Sequence, residues 1–469
     1  MKTSRKYIYR LFIWGVTALL FSSCQLANKY ESPAVDTQNL FRGKDTTDTT
    51  SIANIPWQQY FNDAALRSLI EEALRNNYDL RIAVTRIKQG EANLTMARAA
   101  YFPDIALVGQ VQEARHSFEN GKKKVLGYHA ETYTLGISAT WEADIWGKLN
   151  RQSRAQYAQY LNSQAYYRLV ATSLIANIAT SYYTLLAMDK QLEITKETVV
   201  LLEETAETME ALKNAGMLNA AAVEQSKSLL YGTQTTIPDL ENQVRQLENS
   251  IAIMLGRKPD SVYRNSIDVQ ILPAELKYGV PVQMLTKRPD IQQAELAFRS
   301  AFELTNAAQA SLYPSLTLNT GSVIGLGSST LSNFFKPENI ILNLLGGITQ
   351  PIFAKKQLTG QLKIRKAQQE EALLTFEKTV LSASEEVSNI LYTYEQSQRK
   401  NTTRDLQIES LNKAVEYTHE LLKAGVANYT EVLTAEQNLL QAQLSQVNDK
   451  LEQLQATVNL YRALGGGVE

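Results

Sequence analysis

Cysteine is nearly absent: Cys24 is the single one in 469 residues, so no disulfide framework is available. Histidine is scarce too, and His116, His129 and His419 stand at spacings that match no metal-ligand pattern. Gly465-Gly466-Gly467 is followed by neither lysine nor a helix, so it is not a phosphate loop. An excess of one charge is also missing. The 47 Lys and Arg against 48 Asp and Glu leave a formal net charge of −1, without the basic footprint of a nucleic-acid binder. Past the first two dozen residues no stretch approaches about 18 uninterrupted apolar residues, so no transmembrane helix is expected. Together these gaps speak against an enzyme, a resident metal or a cofactor.

What is present begins with a positive start, Lys2, Arg5, Lys6 and Arg10, then an apolar run from Leu11 to Leu20, then Ser22 and Ser23. That order reads as a secretory signal peptide. Cys24 follows directly. Phe21-Ser22-Ser23-Cys24 resembles a bacterial lipobox, with Phe21 where leucine is usual. The resemblance implies that residues 1–23 are removed and that Cys24 carries lipid.

The remaining chain reads as one unit twice. Asn77-Tyr78-Asp79-Leu80 parallels Arg288-Pro289-Asp290-Ile291, and Ala99 to Pro103 parallels Ala310 to Pro314, both at an offset of 211. Leu212-Lys213-Asn214-Ala215-Gly216 parallels Leu421-Leu422-Lys423-Ala424-Gly425, and Leu255-Gly256 parallels Leu464-Gly465, with an offset of 209 from Gly216 onward. Constant offsets over so long a stretch indicate duplication, and units of this length are not solenoid repeats. Each unit predicts a helix, a β-hairpin, a very long helix and a return helix.

The hairpin segments alternate with period two: Tyr133, Leu135, Ile137, Ala139 and Trp141 against Thr132, Thr134, Gly136, Ser138 and Thr140. Segments of about ten residues suit tilted membrane strands. Loops are expected around Asn120-Gly121-Lys122-Lys123-Lys124 and around Gly325-Leu326-Gly327-Ser328-Ser329. Ile341 and Leu345 break the alternation of the last segment. Tyr101, Phe102, Tyr133, Trp141, Trp146, Tyr313, Phe334, Phe335 and Phe353 flank the segments, as interfacial girdles would. The helical parts step by three and four: Leu373, Phe376, Val380, Ala383, Val387, Ile390 and Tyr394, and again Leu440, Leu444, Val447, Leu451, Leu454, Val458 and Tyr461. That spacing is a coiled-coil seam. Leu149 to Asn214 holds no proline and would run ~100 Å as one helix. Tyr182, Tyr183, Tyr392 and Tyr394 are expected to pack between helices.

Four strands cannot close a membrane barrel, and each backbone group left unpaired in lipid costs several kcal/mol. The chain must therefore associate. Two copies supply about eight strands and three about twelve, and physics alone leaves both open.

Several stretches together resemble the TolC-like outer membrane factors, in the lipoprotein branch paired with resistance-nodulation-division efflux pumps. They are Trp57…Phe61-Asn62-Asp63…Leu66, Gly279-Val280-Pro281…Arg288-Pro289-Asp290-Ile291, Trp141-Glu142-Ala143-Asp144-Ile145-Trp146-Gly147-Lys148 and the paired Leu-x-x-x-Gly turns. The resemblance runs from about Cys24 to Gly466. It implies an α+β fold: a homotrimer whose four strands per chain close a twelve-stranded transmembrane β-barrel, continuous with a long coiled-coil helical barrel in the periplasm. The organisation expected is residues 1–23 signal peptide, 24–56 lipid-anchored tether and equatorial segment, 57–256 first repeat with its hairpin at 103–145, 257–281 equatorial linker, and 282–469 second repeat with its hairpin at 314–352.

The implied function is the outer-membrane channel of a tripartite efflux system, anchored by lipid in the outer membrane. Its partners would be further copies of itself, a periplasmic adaptor (membrane fusion protein) and an inner-membrane pump. A type I protein-secretion channel and a coiled-coil lipoprotein without a pore stay open as alternatives. Leu212, Gly216, Leu421, Gly425, Val426 and Asn428 are the candidate adaptor contacts. Glu431 is the candidate periplasmic gate carboxylate, where the family more often has aspartate; the second common acidic position falls on Thr434.

Overall fold

The computed structural model describes residues 29–36, 39–43, 50–120, 123–272, 277–279, 281–321 and 323–467. The signal peptide and Cys24 lie outside the described residues. By compactness the chain divides into two units: residues 1–34, 87–163 and 294–376, and residues 35–86, 164–293 and 377–469. Each unit draws on both halves of the chain.

The elements in order are α1 (Trp57–Tyr60), α2 (Ala64–Asn76), α3 (Tyr78–Ala99), β1 (Asp104–Asn120), β2 (Lys123–Ala143), α4 (Lys148–Asn214), α5 (Ala220–Met254), α6 (Pro281–Lys287), α7 (Pro289–Ala310), β3 (Ser315–Asn319), β4 (Ile324–Ser328), β5 (Ile340–Ile341), β6 (Leu345–Thr349), α8 (Gln357–Lys423) and α9 (Tyr429–Ala463). The long helices α4 and α8 are each 67 residues, and the return helices α5 and α9 are each 35. α4 also holds a window apolar enough to cross a membrane, but 61% of that window is buried inside the fold. Its apolar side chains serve packing.

The first unit carries one antiparallel sheet. β2 pairs with β1 on one side and with β3 and β4 on the other; β6 then pairs with β3, and β5 with β4. β3 and β4 act as one strand with a bulge between them. Thr140 faces Asn319 and Ile137 faces Ile324, so five steps on one strand oppose three on the other. Gly321, at φ +66°, lies in that bulge, and Thr320 exchanges hydrogen bonds with Ala139 across it, at 3.1 and 3.2 Å.

Two strand expectations are corrected. Gly325 to Ser328, expected as loop, forms most of β4. Glycine is required there because Gly136 and Gly325 face each other at close backbone approach. Moreover β1 and β2 run 17 and 21 residues rather than about ten, paired out to Asn120 and Lys123. Apolar alternation stops near Val111 and Tyr133, while the backbone ladder continues. Ile341 and Leu345 break the alternation for a reason: Ile341 lies over Gly327 and Leu345 over Gly321, so each aliphatic side chain covers a glycine.

Directly opposed residues share a face of the sheet. Leu107, Ile137 and Ile324 line up on one face, as do Leu135, Leu326 and Ile340, then Leu316 and Ile348. This face is exposed although apolar: Leu107 is 78% and Ile348 75% accessible. Water would not leave such a face open, and hydrocarbon would. Of the expected girdle, Trp141 donates from Nε1 to the Tyr101 carbonyl at 2.8 Å, and Trp146 to the Pro314 carbonyl at 2.7 Å. Phe335 and Phe353 are exposed, but Phe334 is buried and departs from the girdle.

The second unit shows the seam. Phe376, just outside it, and Val380, Ala383, Val387 and Tyr394 of α8 are buried, as are Val447, Leu454, Val458 and Tyr461 of α9. Tyr182 and Tyr183 are buried as expected; Tyr392 is 61% exposed and departs from that expectation.

Candidate functional site

The turns that join long and return helices are built identically. α4 ends at Asn214, and Gly216 follows at φ +75°. Met217 N–H donates to the Leu212 carbonyl at 2.9 Å, and Gly216 N–H to Lys213 at 3.0 Å. α8 ends at Lys423, and Gly425 follows at φ +71°. Val426 N–H donates to the Leu421 carbonyl at 2.9 Å, and Gly425 N–H to Leu422 at 2.9 Å. Each is a Schellman turn, whose left-handed residue is glycine because a Cβ would be strained there. Asn219 then caps α5 by accepting from Ala222 N–H at 3.0 Å, and Asn428 caps α9 by accepting from Thr430 N–H at 3.2 Å.

Beneath the turns all four helices meet in one apolar layer. Met209, Val223, Leu422 and Val432 are buried together, with Leu212, Leu218 and Tyr429 packed against them. Of the predicted contact residues, Gly216, Leu421, Gly425, Val426 and Asn428 are exposed, whereas Leu212 is partly taken up by this core. Met217, which sequence reasoning left out, is exposed beside Gly216. Glu431 is exposed in the first turn of α9, where a carboxylate suits the helix N-terminus. It makes no ion pair among the described residues.

Sequence reasoning also missed Glu436. Its side chain is fully buried, accepts from Thr205 Oγ1 at 2.6 Å and stands 2.9 Å from His419 Nε2. It ties α9 to α4 and α8 one turn from the apolar layer. The seam spacing gave no signal for it: stepping back from Leu440 by three and then four lands on Gln437 and Leu433, not on Glu436.

A second constellation in the same unit gathers the irregular segments. Asp63 caps α2 through Ala65 N–H at 2.8 Å and accepts from Tyr182 Oη, Asn265 Nδ2 and Gln270 Nε2 at 2.7, 2.8 and 2.7 Å. Burial pushes its carboxyl up, but these hydrogen bonds outweigh burial and hold it below the usual range. Arg264 joins Asp189 and Glu248 at 2.5 and 2.6 Å. Arg288 is desolvated, yet Asp290 and Glu386 at 2.6 and 2.7 Å keep it charged beyond the ordinary range. Two glycines close the region alike. A Cβ on Gly256 would meet the Asn76 carbonyl at 2.6 Å, and one on Gly465 the Lys287 carbonyl at 2.8 Å.

In the first unit the chain ahead of Ala34 docks on α7. Tyr30 packs against Phe298 and Phe302 at 6.0 and 5.7 Å, with the Arg299 guanidinium 5.4 Å from its ring. Tyr30 and Ser32 both donate to Glu295. Burial, with the Glu295 charge, pushes the Tyr30 hydroxyl up to about 12. Among the described residues no three His, Cys, Asp or Glu side chains converge as a metal site.

The sequence profile described as "Outer membrane efflux protein" matches this chain twice, over residues 69–257 and 280–466. The chain is 28% identical over 458 residues to the cation efflux system protein CusC of Escherichia coli, covering 96% of this chain and 98% of that one. It is 29% identical over 468 residues to the toluene efflux pump outer membrane protein TtgC of Pseudomonas putida, covering 97% and 94%. Among solved structures, the outer-membrane channel OprN superposes with a TM-score of 0.86 at 24% identity over 95% of this chain and 99% of that one. The open-state MtrE outer membrane channel of Neisseria gonorrhoeae does so with a TM-score of 0.81 at 25% identity over 95% and 99%.

Proposed function

The chain belongs to the outer membrane efflux protein family and is an outer-membrane efflux channel component, and on that premise we propose that three copies close one barrel and conduct solute passively. The observation that carries this is the sheet: one apolar face, one polar face, and edges at β1 and at β5 with β6 whose outer sides pair with nothing among the described residues. Neighbouring copies satisfy those edges. Three copies supply twelve strands around a central bore, which the family also implies. Of the two sequence repeats, 57–256 supplies β1 and β2, and 282–469 supplies two interrupted strands, β3 with β4 and β5 with β6; 257–281 lies between the repeats.

Lipid on Cys24 anchors the tether that Tyr30 docks on α7. The exposed turn residues Leu421, Gly425, Val426 and Asn428, with Gly216 and the edge of Leu212, meet the periplasmic adaptor. An inner-membrane pump of the resistance-nodulation-division type supplies the energy. Relatives at 27–29% identity are named for a cation, toluene and pyoverdine. One scaffold serving such different cargoes fits a conduit that leaves selection to its pump.

The mass of the detergent-extracted protein, denatured and native, tests assembly and anchor together. The expected result is a denatured mass of the chain from Cys24 plus acyl groups, and a native mass three times that. An unacylated monomer would overturn both. The gate has its own test. Three Glu431 carboxylates in a narrow throat are expected to favour cations, so Glu431→Ala lowers cation preference in bilayer recordings. Conductance and preference identical to the parent channel would remove Glu431 from the gate.

A further inference from the structure

The face of the sheet opposite the apolar one has a charge pattern of its own. From Glu142 out to Gln112, its rows are Glu142–Thr317–Gly347, Asp104–Thr140–Asn319–Leu345, Ala106–Ser138, Val108–Gly136–Gly325–Ile341, Gln110–Thr134–Gly327 and Gln112–Thr132. Only two of these side chains are charged. Glu142 is answered by Lys148 Nζ at 2.5 Å. Asp104 is exposed and has no partner among the described residues. Beyond Asp104 the rows hold hydroxyls, amides, glycines and a few aliphatic groups. At Gly136 and Gly325 no side chain projects at all.

Resting on the reading that three such sheets close one barrel, we propose that these strand rows make an electrically neutral bore, and that Asp104 is the residue that sets its charge preference. Hydroxyl, amide and glycine surfaces carry no net charge, so they discriminate between cations and anions only weakly. Three Asp104 carboxylates at the helix-side mouth add a modest attraction for cations. Water and salt fill an open bore, and the screening length is ~10 Å at 0.1 M and ~3 Å at 1 M salt. The preference is therefore weak and salt-dependent. The solutes such a bore suits are organic molecules of either sign or none, rather than a single class of small ion.

The test is the reversal potential of the full acylated trimer in a planar bilayer under a KCl gradient, in a Glu431→Ala background that removes the tip carboxylates. Asp104→Asn is expected to lower the potassium-over-chloride permeability ratio about twofold at 0.1 M salt, with little change at 1 M. Thr134→Glu, which places a carboxylate in a neutral row, is expected to raise the ratio severalfold. Leu107→Ala, on the apolar face, leaves it unchanged. An unchanged ratio in Asp104→Asn at 0.1 M, or in Thr134→Glu, would overturn the proposal while leaving the channel intact. Absence of any current from the parent trimer would instead overturn the closed barrel, and this proposal with it.

Discussion

Replacing Gly425 with valine is expected to abolish solute export while the trimer still assembles. Gly425 sits at φ +71°, a conformation that costs an ordinary residue about 1–2 kcal/mol and a β-branched one more. Space is not the obstacle: a Cβ there would have only Met217 Cε nearby, at 3.6 Å. The strain falls on the backbone, so the turn must open, and the 2.9 Å bond from Val426 N–H to the Leu421 carbonyl goes with it. Leu421 and Val426, both exposed, then leave the positions in which a docking partner would meet them. A docking loss of about 1.4 kcal/mol already weakens binding tenfold. The sheet edges at which copies would pair belong to other residues. Accumulation of a fluorescent solute in cells reports export, and native mass reports the trimer. Export at the parental rate would remove Gly425 from docking, and loss of the trimer would make the glycine purely structural.

Gly136→Val is expected to prevent barrel formation altogether. A Cβ on Gly136 would stand 2.5 Å from the Ile324 carbonyl oxygen, 2.8 Å from Gly325 Cα and 2.9 Å from Ile324 C. All three are backbone atoms, and no rotamer relieves the contact. β2 and β4 would have to part along the five pairs from Tyr133–Ser328 to Ile137–Ile324. In hydrocarbon each backbone group so orphaned costs several kcal/mol, which exceeds the margin of an ordinary fold. Gly109→Val is the matched control, since its Cβ would meet only Leu135 Cδ1, at 3.6 Å, on the apolar face. The readout is the fraction of chain recovered from outer membranes as trimer. Equal recovery of the two variants would mean that β2 and β4 are not in close contact in the membrane.

Much of this was legible in the residues before any tertiary information. The three-and-four spacing of Val380, Ala383 and Val387 marks a buried helical seam, because side chains at that spacing share a face. Gly216 and Gly425 mark helix ends, because a left-handed residue lets the last carbonyls be satisfied. Gly256 and Gly465 match in the sequence at an offset of 209, and the structure shows them closing on Asn76 and Lys287 in the same way. Other features misled for physical reasons. Gly325 to Ser328 has the composition of a loop, yet its glycines answer a close approach between strands. The outer halves of β1 and β2 carry no apolar stripe, so nothing in their pattern showed how far the ladder extends.

The sequence by itself determined where the long helices run, the glycine turns that end α4 and α8, and which face of the inner strands is apolar, because those depend on neighbours a few residues away. Only the tertiary structure decided which polar groups find one another: Asp63 with Tyr182, Asn265 and Gln270, Arg151 with the buried Glu303 at 2.7 Å, and Glu436 with Thr205 and His419. Most of these partners lie more than a hundred residues apart. A carboxylate in the sequence looks the same whether it ends in water or inside the fold, and only the faces that meet in three dimensions decide which.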